Sequence, residues 1–152
     1  MPREINIEEC RAFHSTPSAQ TKVLIVGITP GRQQHEAALR VMAEGGGRAQ
    51  IERRVAFVGT MRTNLCSMLD DIGIARALNV DSSCELFGTP VLASTSAVRD
   101  PVYWSDDNSN WTGARIITNP TTRRYIETHL VTELAAVPTA LVIPLGKAVV
   151  KA

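Results

Sequence analysis

The run Lys22-Val23-Leu24-Ile25-Val26-Gly27, followed at once by Ile28-Thr29-Pro30-Gly31, constrains this chain more than any other segment. Consecutive apolar β-formers without polar alternation suit a strand buried on both faces, as in a parallel sheet. Pro then sets φ and Gly permits a positive φ, so the strand runs into a tight turn. Parallel strands need crossovers, and the sequence supplies helical segments for them. His35–Ala43 is helical in composition and is stopped by Gly45-Gly46-Gly47. In Asn64–Ile72, residues Leu65, Met68, Leu69 and Ile72 fall at helical spacing, and Gly73 ends the run. Phe87 and Pro90-Val91-Leu92-Ala93 suggest a second, shorter strand region. Thr122–Ala136 reads as a helix with Ile126, Leu130 and Leu134 on one side, and Ala140–Gly146 as another buried strand. Residues 1–21 form a mixed, polar, peripheral lead-in with a short helix over Ile7–Phe13. This order predicts an α/β fold, a three-layer α/β/α sandwich with a mostly parallel sheet. In such folds ligands gather at the strand-end turns.

Composition narrows the function classes. At 152 residues and 44% hydrophobic, residues 1–152 make a single domain. The formal net charge of +1 excludes a strongly basic nucleic-acid coat and an acidic disordered tail. No apolar run approaches the roughly 20 residues of a membrane span, so no membrane partner is expected. Cys10, Cys66 and Cys84 are far apart and odd in number. They read as reduced thiols in a cytoplasmic protein, with no metal and no cofactor. Lys147–Ala152 begins a helix too short to stand alone. The expectation is therefore a fold lacking its last strand, with a sheet edge left open. Oligomeric state is not legible.

Two segments could carry chemistry. Gly27-Ile28-Thr29-Pro30-Gly31-Arg32 lets a ligand approach backbone N–H groups at a helix start, and Arg32 could pair with a phosphate. The same residues equally suit a plain strand-to-helix turn. Val55-Ala56-Phe57-Val58-Gly59 offers Phe57 either as a stacking platform for a base or as core. Arg48, Arg53, Arg54 and Arg62 surround it, either tracking a phosphate backbone or forming a solvated face. Lys147, after the Leu145-Gly146 strand end, could contact phosphate or cover the sheet edge with its stem. Trp104 reads as packing; Trp111 fits stacking or packing equally. His14, His35 and His129 read as surface or capping residues, with His35 also close enough in sequence to the turn to face a ligand.

Together these motifs resemble the uracil-DNA glycosylase superfamily. VLIVGITPG is similar to its first motif, a strand followed by G-x-x-P-G. Residues 56–74, AFVGTMRTNLCSMLDDIGI, resemble a stretch of its thermophile-type branch, and residues 133–149, ELAAVPTALVIPLGKAV, its penultimate strand. PVYW at 101–104 and NWTG at 110–113 resemble an uncharacterised bacterial subset. The resemblance implies a DNA partner carrying a modified base, single- or double-stranded, with the base flipped into a pocket. Its N-glycosidic bond is then hydrolysed with a positioned water and without metal. It implies Thr29 at the water-orienting position, Phe57 under the base and Ser96 near its Watson–Crick edge. Gly27, Ile28, Pro30 and Gly31 would surround the substrate, with Arg32 and Lys147 on phosphate.

The departures are specific. Thr29 is neutral and can only hydrogen-bond water, and Ser96 lacks the paired donor and acceptor of an amide. The cysteines cannot supply the four ligands of an iron–sulfur cluster. The histidine-bearing second motif would lie beyond residue 152. Two further readings follow: a binding module of the same fold without turnover, and a small α/β enzyme that binds a phosphorylated metabolite at Gly27–Arg32.

Overall fold

The computed structural model describes residues 1–14 and 17–152. The predicted first strand is β2, Val23–Gly27, and all five of its residues are buried. It lies at the centre of a parallel sheet between β3, Leu92–Ser96, and β5, Leu141–Pro144. Its register runs from Val23 opposite Leu92 to Gly27 opposite Ser96 on one side. On the other, Val23 faces Leu141 and Val26 faces Pro144. Strand alternation sends Val23 and Ile25 into one apolar cluster with Phe57, Leu65 and Leu69. It sends Leu24 and Val26 into another with Ile126, Leu130 and Val149. A mixed α/β fold with a small three-stranded parallel sheet results.

Four helices connect β2 to β3: α1, Arg32–Ala43; α2, Arg48–Arg54; α3, Thr60–Asp71; and α4, Ile74–Ala77. The return to β5, on the far side of β2, uses a helix in three pieces. It starts as α5, Pro120–Tyr125, widens to a π-helical turn over Ile126–Leu130 and finishes as α6, Val131–Ala135. Asn119 caps it by accepting from the Thr121 N–H at 2.9 Å, and Pro120 supplies a preset φ. As Thr122–Ala136 predicts, Ile126 and Leu130 are buried. The winding reverses at β2, which leaves a crevice at its C-terminal end.

Several expectations need correction. The lead-in is not a loose segment with a helix over Ile7–Phe13. Ile5–Ile7 is strand β1, antiparallel to β4, Val102–Trp104, and only Arg11–Phe13 makes a 3-10 turn. Period two explains it: Ile5 and Ile7 pack on the core while Asn6 faces out. The second strand is Leu92–Ser96, later than the apolar 90–93 run, because pairing with β2 carries polar Ser94-Thr95-Ser96 along. Helix α1 starts at Arg32, earlier than His35, since the Arg32 N–H finds the Asn110 Oδ1 at 3.0 Å. Strand β5 is not buried: Leu141 is 50% and Val142 38% exposed, because only β2 pairs with it among the described residues. Helix α7, Lys147–Lys151, follows.

The cysteine reading is also corrected. Cys66 of α3 and Cys84 form a disulfide, and only Cys10 is a free, buried thiol. Their separation of 18 residues in sequence says nothing about separation in space. Asp70 on α3 accepts from Ser83 N–H at 2.7 Å and Ser82 Oγ at 3.2 Å, and so holds the Ser83–Leu86 turn against the helix. Trp111 is resolved as packing: it is buried, and its Nε1 donates to the Ala114 carbonyl at 3.1 Å. Trp104 packs as expected, under the Arg3 guanidinium. Among the described residues no helix is long and apolar enough to cross a membrane.

Candidate functional site

The turn after β2 is tied down from both sides. Pairing continues past the strand, with Ala97 N–H on the Gly27 carbonyl at 2.8 Å and Val98 N–H on the Ile28 carbonyl at 3.0 Å. Thr29 Oγ donates to the Asp100 carbonyl at 2.9 Å, so its proton is committed and its lone pairs remain. Above this turn opens a cleft of about 290 Å³. Its walls are Gly27, Ile28, Thr29, Gly31 and Gln34, with Phe57 and Met61 on one side and Asn110, Trp111, Thr112 and Leu145 on the other. Asn110 spends its Oδ1 on the Arg32 N–H, which leaves its amide donors free for the cleft.

Phe57 reaches this cleft through an unusual backbone. Its φ of +53° lies in the left-handed region, a conformation bulky residues rarely adopt and that costs on the order of 1–3 kcal/mol. Arg62 holds the turn in place: its Nε donates to the Ala56 carbonyl at 2.8 Å and its Nη2 to the Glu52 carbonyl at 2.7 Å. The same guanidinium lies 4.4 Å over the Phe87 ring. Burial draws its pKa below the ordinary arginine value, with Glu52 opposing.

Phe57, Gly27 and Ser96, far apart in sequence, meet here. A Cβ on Gly27 would stand 3.2 Å from Phe57 Cε1 and 3.6 Å from Ser96 Oγ, so the ring rests where only glycine leaves room. Phe57 is 6% exposed and belongs to the core cluster as well as to the cleft wall. Both sequence readings of this residue therefore describe part of its position. Behind it lies a narrower cavity of about 30 Å³, bounded by Pro30, Gln34, Arg48, Glu52, Phe57, Ser94, Ser96 and Arg99 among others. Glu52, buried, accepts from Ser94 Oγ at 2.5 Å and pairs with Arg48.

The two expected phosphate contacts stand apart from the cleft lining. The Arg32 guanidinium lies 4.4 Å over the Tyr103 ring and donates to the Asn108 carbonyl. Lys147 is exposed at the first residue of α7. No histidine lines the cleft. His14 Nε2 bonds Asp100 Oδ1 at 2.7 Å, His35 Nδ1 bonds Tyr103 Oη at 2.9 Å, and His129 packs on Tyr125. Burial lowers the His129 pKa, and Arg99 adds to the effect. Among the described residues no group of His, Cys, Asp and Glu could hold a metal ion. Sequence reasoning missed Gln34, Asn110 and Arg99, and it read Arg62 as tracking phosphate or as solvated, whereas Arg62 clamps the Phe57 turn. Only Asn110 carried a signal, as the first residue of NWTG.

This chain is similar to the uncharacterized protein YoxB of Bacillus subtilis (strain 168). The two are 36% identical over 137 residues, which cover 83% of this chain. The chain spans 54%, about half, of that relative's length. No family model matches the chain. No solved structure matches it.

Proposed function

We propose that the cleft at the end of β2 takes a flipped nucleobase of DNA, on a three-layer α/β/α frame of the uracil-DNA glycosylase kind. The reaction served is hydrolysis of that base's N-glycosidic bond. The observation that carries this reading is the meeting of Gly27, Phe57 and Ser96, with Phe57 held at positive φ against a glycine. A strained aromatic beside a backbone of minimal bulk is what a flat ring needs to stack and slide close.

In this reading Thr29 orients water by accepting from it, since its own proton is engaged at Asp100. It cannot take the proton away, so the glycosidic bond breaks first, its electron pair leaving with the base. Water then adds to the oxocarbenium-like sugar, and its proton goes to the departed anionic base. Charge builds on the departing base, and the Asn110 amide is the donor that faces it. Gly31 and Pro30 keep the approach to the sugar open.

The test uses a labelled single-stranded oligonucleotide with one modified base, followed by alkaline cleavage at any abasic site. Binding should weaken steeply between about 50 and 200 mM salt as phosphate contacts are lost. Phe57→Ala should weaken it by roughly 1–3 kcal/mol while the variant stays folded. Oligonucleotide affinity indifferent to salt and to Phe57 would remove the reading. A second reading, binding without turnover, is favoured by one observation: neither a carboxylate nor a histidine lines the cleft. A retained complex with no abasic product decides for it.

A further inference from the structure

The turn that carries Phe57 joins α2 to α3, and a second segment joins the same two helices from elsewhere in the chain. Ser83–Leu86 is bonded to α3 through Cys84 and Cys66, and Asp70 of α3 accepts from the Ser83 N–H. Gly88 lies against α2: a Cβ there would stand 3.0 Å from the Ala49 carbonyl oxygen and 3.2 Å from Arg53 Cβ. Between these two anchors Phe87 is buried, in the same apolar cluster as Phe57 and Cys66.

Arg62 ties this span to the turn. Its guanidinium lies 4.4 Å over the Phe87 ring and donates to the carbonyls of Glu52 and Ala56. The side chain is half-buried, and a desolvated cation holds a ring face more strongly than an exposed one. Loosening Phe87 therefore loosens Arg62 and the carbonyls that lead into Phe57. Phe57 answers, because a φ of +53° is strained and persists only while its surroundings enforce it. Released, it relaxes to negative φ and its ring leaves Gly27.

The disulfide is the removable part of the span. Cys84 is exposed and Cys66 buried, so a thiol in solution meets the bond from the Cys84 side. Cys10 is already a thiol, so a reductant acts at one place. The reductant implied is a dithiol. Its thiolate bonds to Cys84 Sγ, the Cys66–Cys84 bond breaks, and the electron pair stays on Cys66 Sγ, which takes a proton. The second thiolate then displaces Cys84, whose sulfur is protonated in turn, and the dithiol is left as a disulfide.

We infer that the Cys66–Cys84 bond is a redox switch on the cleft: closed, it seats Phe57 for the base; opened by a dithiol, it lets the ring go. The inference rests on the nucleobase reading of the cleft and names its regulation.

Fluorescence anisotropy with a labelled single-stranded oligonucleotide carrying one modified base, with and without dithiothreitol, tests it alongside hydrogen exchange. Thiol titration in denaturant should count one thiol before reduction and three after. Loss of the stack on reduction should weaken binding about tenfold or more, with far-UV circular dichroism unchanged, and reoxidation should restore it. The Val58 N–H, which donates to the Val55 carbonyl at 3.0 Å across the turn, should exchange faster in the reduced protein. Cys84→Ser should bind as reduced wild type does and ignore reductant. Should reduction or Cys84→Ser unfold the chain, Phe87→Leu keeps the bond and removes the ring under Arg62. It should weaken binding severalfold and speed Val58 exchange. The inference fails if wild type holds three thiols before reduction, if affinity and Val58 exchange both ignore reductant, or if Phe87→Leu changes neither. Where Phe57→Ala weakens binding and reduction does not, it fails alone. A reductant-sensitive Val58 with affinity indifferent to Phe57 removes the nucleobase reading and keeps the switch on the turn.

Discussion

Glu133, on α6, is 4% exposed, and its carboxyl faces the core end of β3. Thr95 Oγ donates to its Oε2 at 2.5 Å, while Oε1 has no partner among the described residues. Burial pushes its pKa up from the ordinary 4.5, and the Thr95 hydrogen bond and Arg99 only partly oppose this. The folded state therefore holds this proton more tightly than the unfolded chain does. Its contribution to stability is fully present below the ordinary value and is lost as pH rises through the raised one. Urea unfolding followed from acid to neutral pH should show stability falling over that window. Glu133→Gln keeps the Thr95 contact and has nothing to titrate, so its profile should be flatter, with the variant relatively more stable at neutral pH. Parallel profiles for the two proteins would take the titration away from Glu133. At Gly27 the relevant quantity is distance. An alanine Cβ 3.2 Å from Phe57 Cε1 forces the ring to give by a few tenths of an ångström. Gly27→Ala should weaken oligonucleotide binding severalfold while costing the fold no more than roughly 1–3 kcal/mol. Unchanged affinity would mean that the ring's seat is immaterial to the ligand.

The disulfide is the matter at the scale of elements. It fastens the Ser83–Leu86 turn to α3, and Phe87, next in the chain, lies under the Arg62 guanidinium. Arg62 sits one turn before Cys66 on α3 and clamps the carbonyls of Glu52 and Ala56, which set the Phe57 turn. Closing a loop of 18 residues contributes about 3 kcal/mol by the chain-entropy account. Cys84→Ser, or reduction of the wild type, should lower urea stability by about that amount, and reductant should then have no further effect on the variant. A wild type whose midpoint ignores reductant would contradict the bond. What was legible beforehand follows the same division. Strand β2 was readable because an apolar run with no alternation leaves a strand no solvent face. Strand β4 was not, because three residues between Pro101 and Ser105 carry too short a pattern. The run at β5 reads as buried for the same reason as β2, yet hydrophobicity says what a strand needs covered and not what covers it. At the site, Gly27 and Phe57 were legible from the residues themselves, and Ser96 only through the resemblance. Their meeting, and the burial of the Arg99 Nε, Glu52 and Glu133, depend on partners from distant segments that no local spacing announces.

For the whole molecule the open question lies at β5. One side of this strand pairs with β2, and the other has no strand beside it among the described residues. Leu141 and Val142 are exposed there, and Val150 of α7 is 69% exposed close by in sequence. A strand edge with free N–H and C=O groups and apolar side chains is a template for another strand. With a formal charge of only +1, the chain has little net repulsion to keep copies apart. As produced from these 152 residues, the protein should therefore associate with itself in a concentration-dependent way through β5. Sedimentation velocity over a dilution series should show the sedimentation coefficient falling toward the monomer value. Lysine on an edge strand blocks such pairing by charge and by the cost of burying its ammonium. Val142→Lys, at a position already exposed, should keep the far-UV circular dichroism and sediment as a monomer across the series. If the variant and the wild type associate equally, β5 is not the surface through which copies meet. The exposed residues Met61 and Met68 of α3, and Ile72 just after it, are then the next apolar side chains to change. If the wild type is monomeric throughout, the edge is quiet despite its composition, and the short length of β5, four residues, is the physical reason.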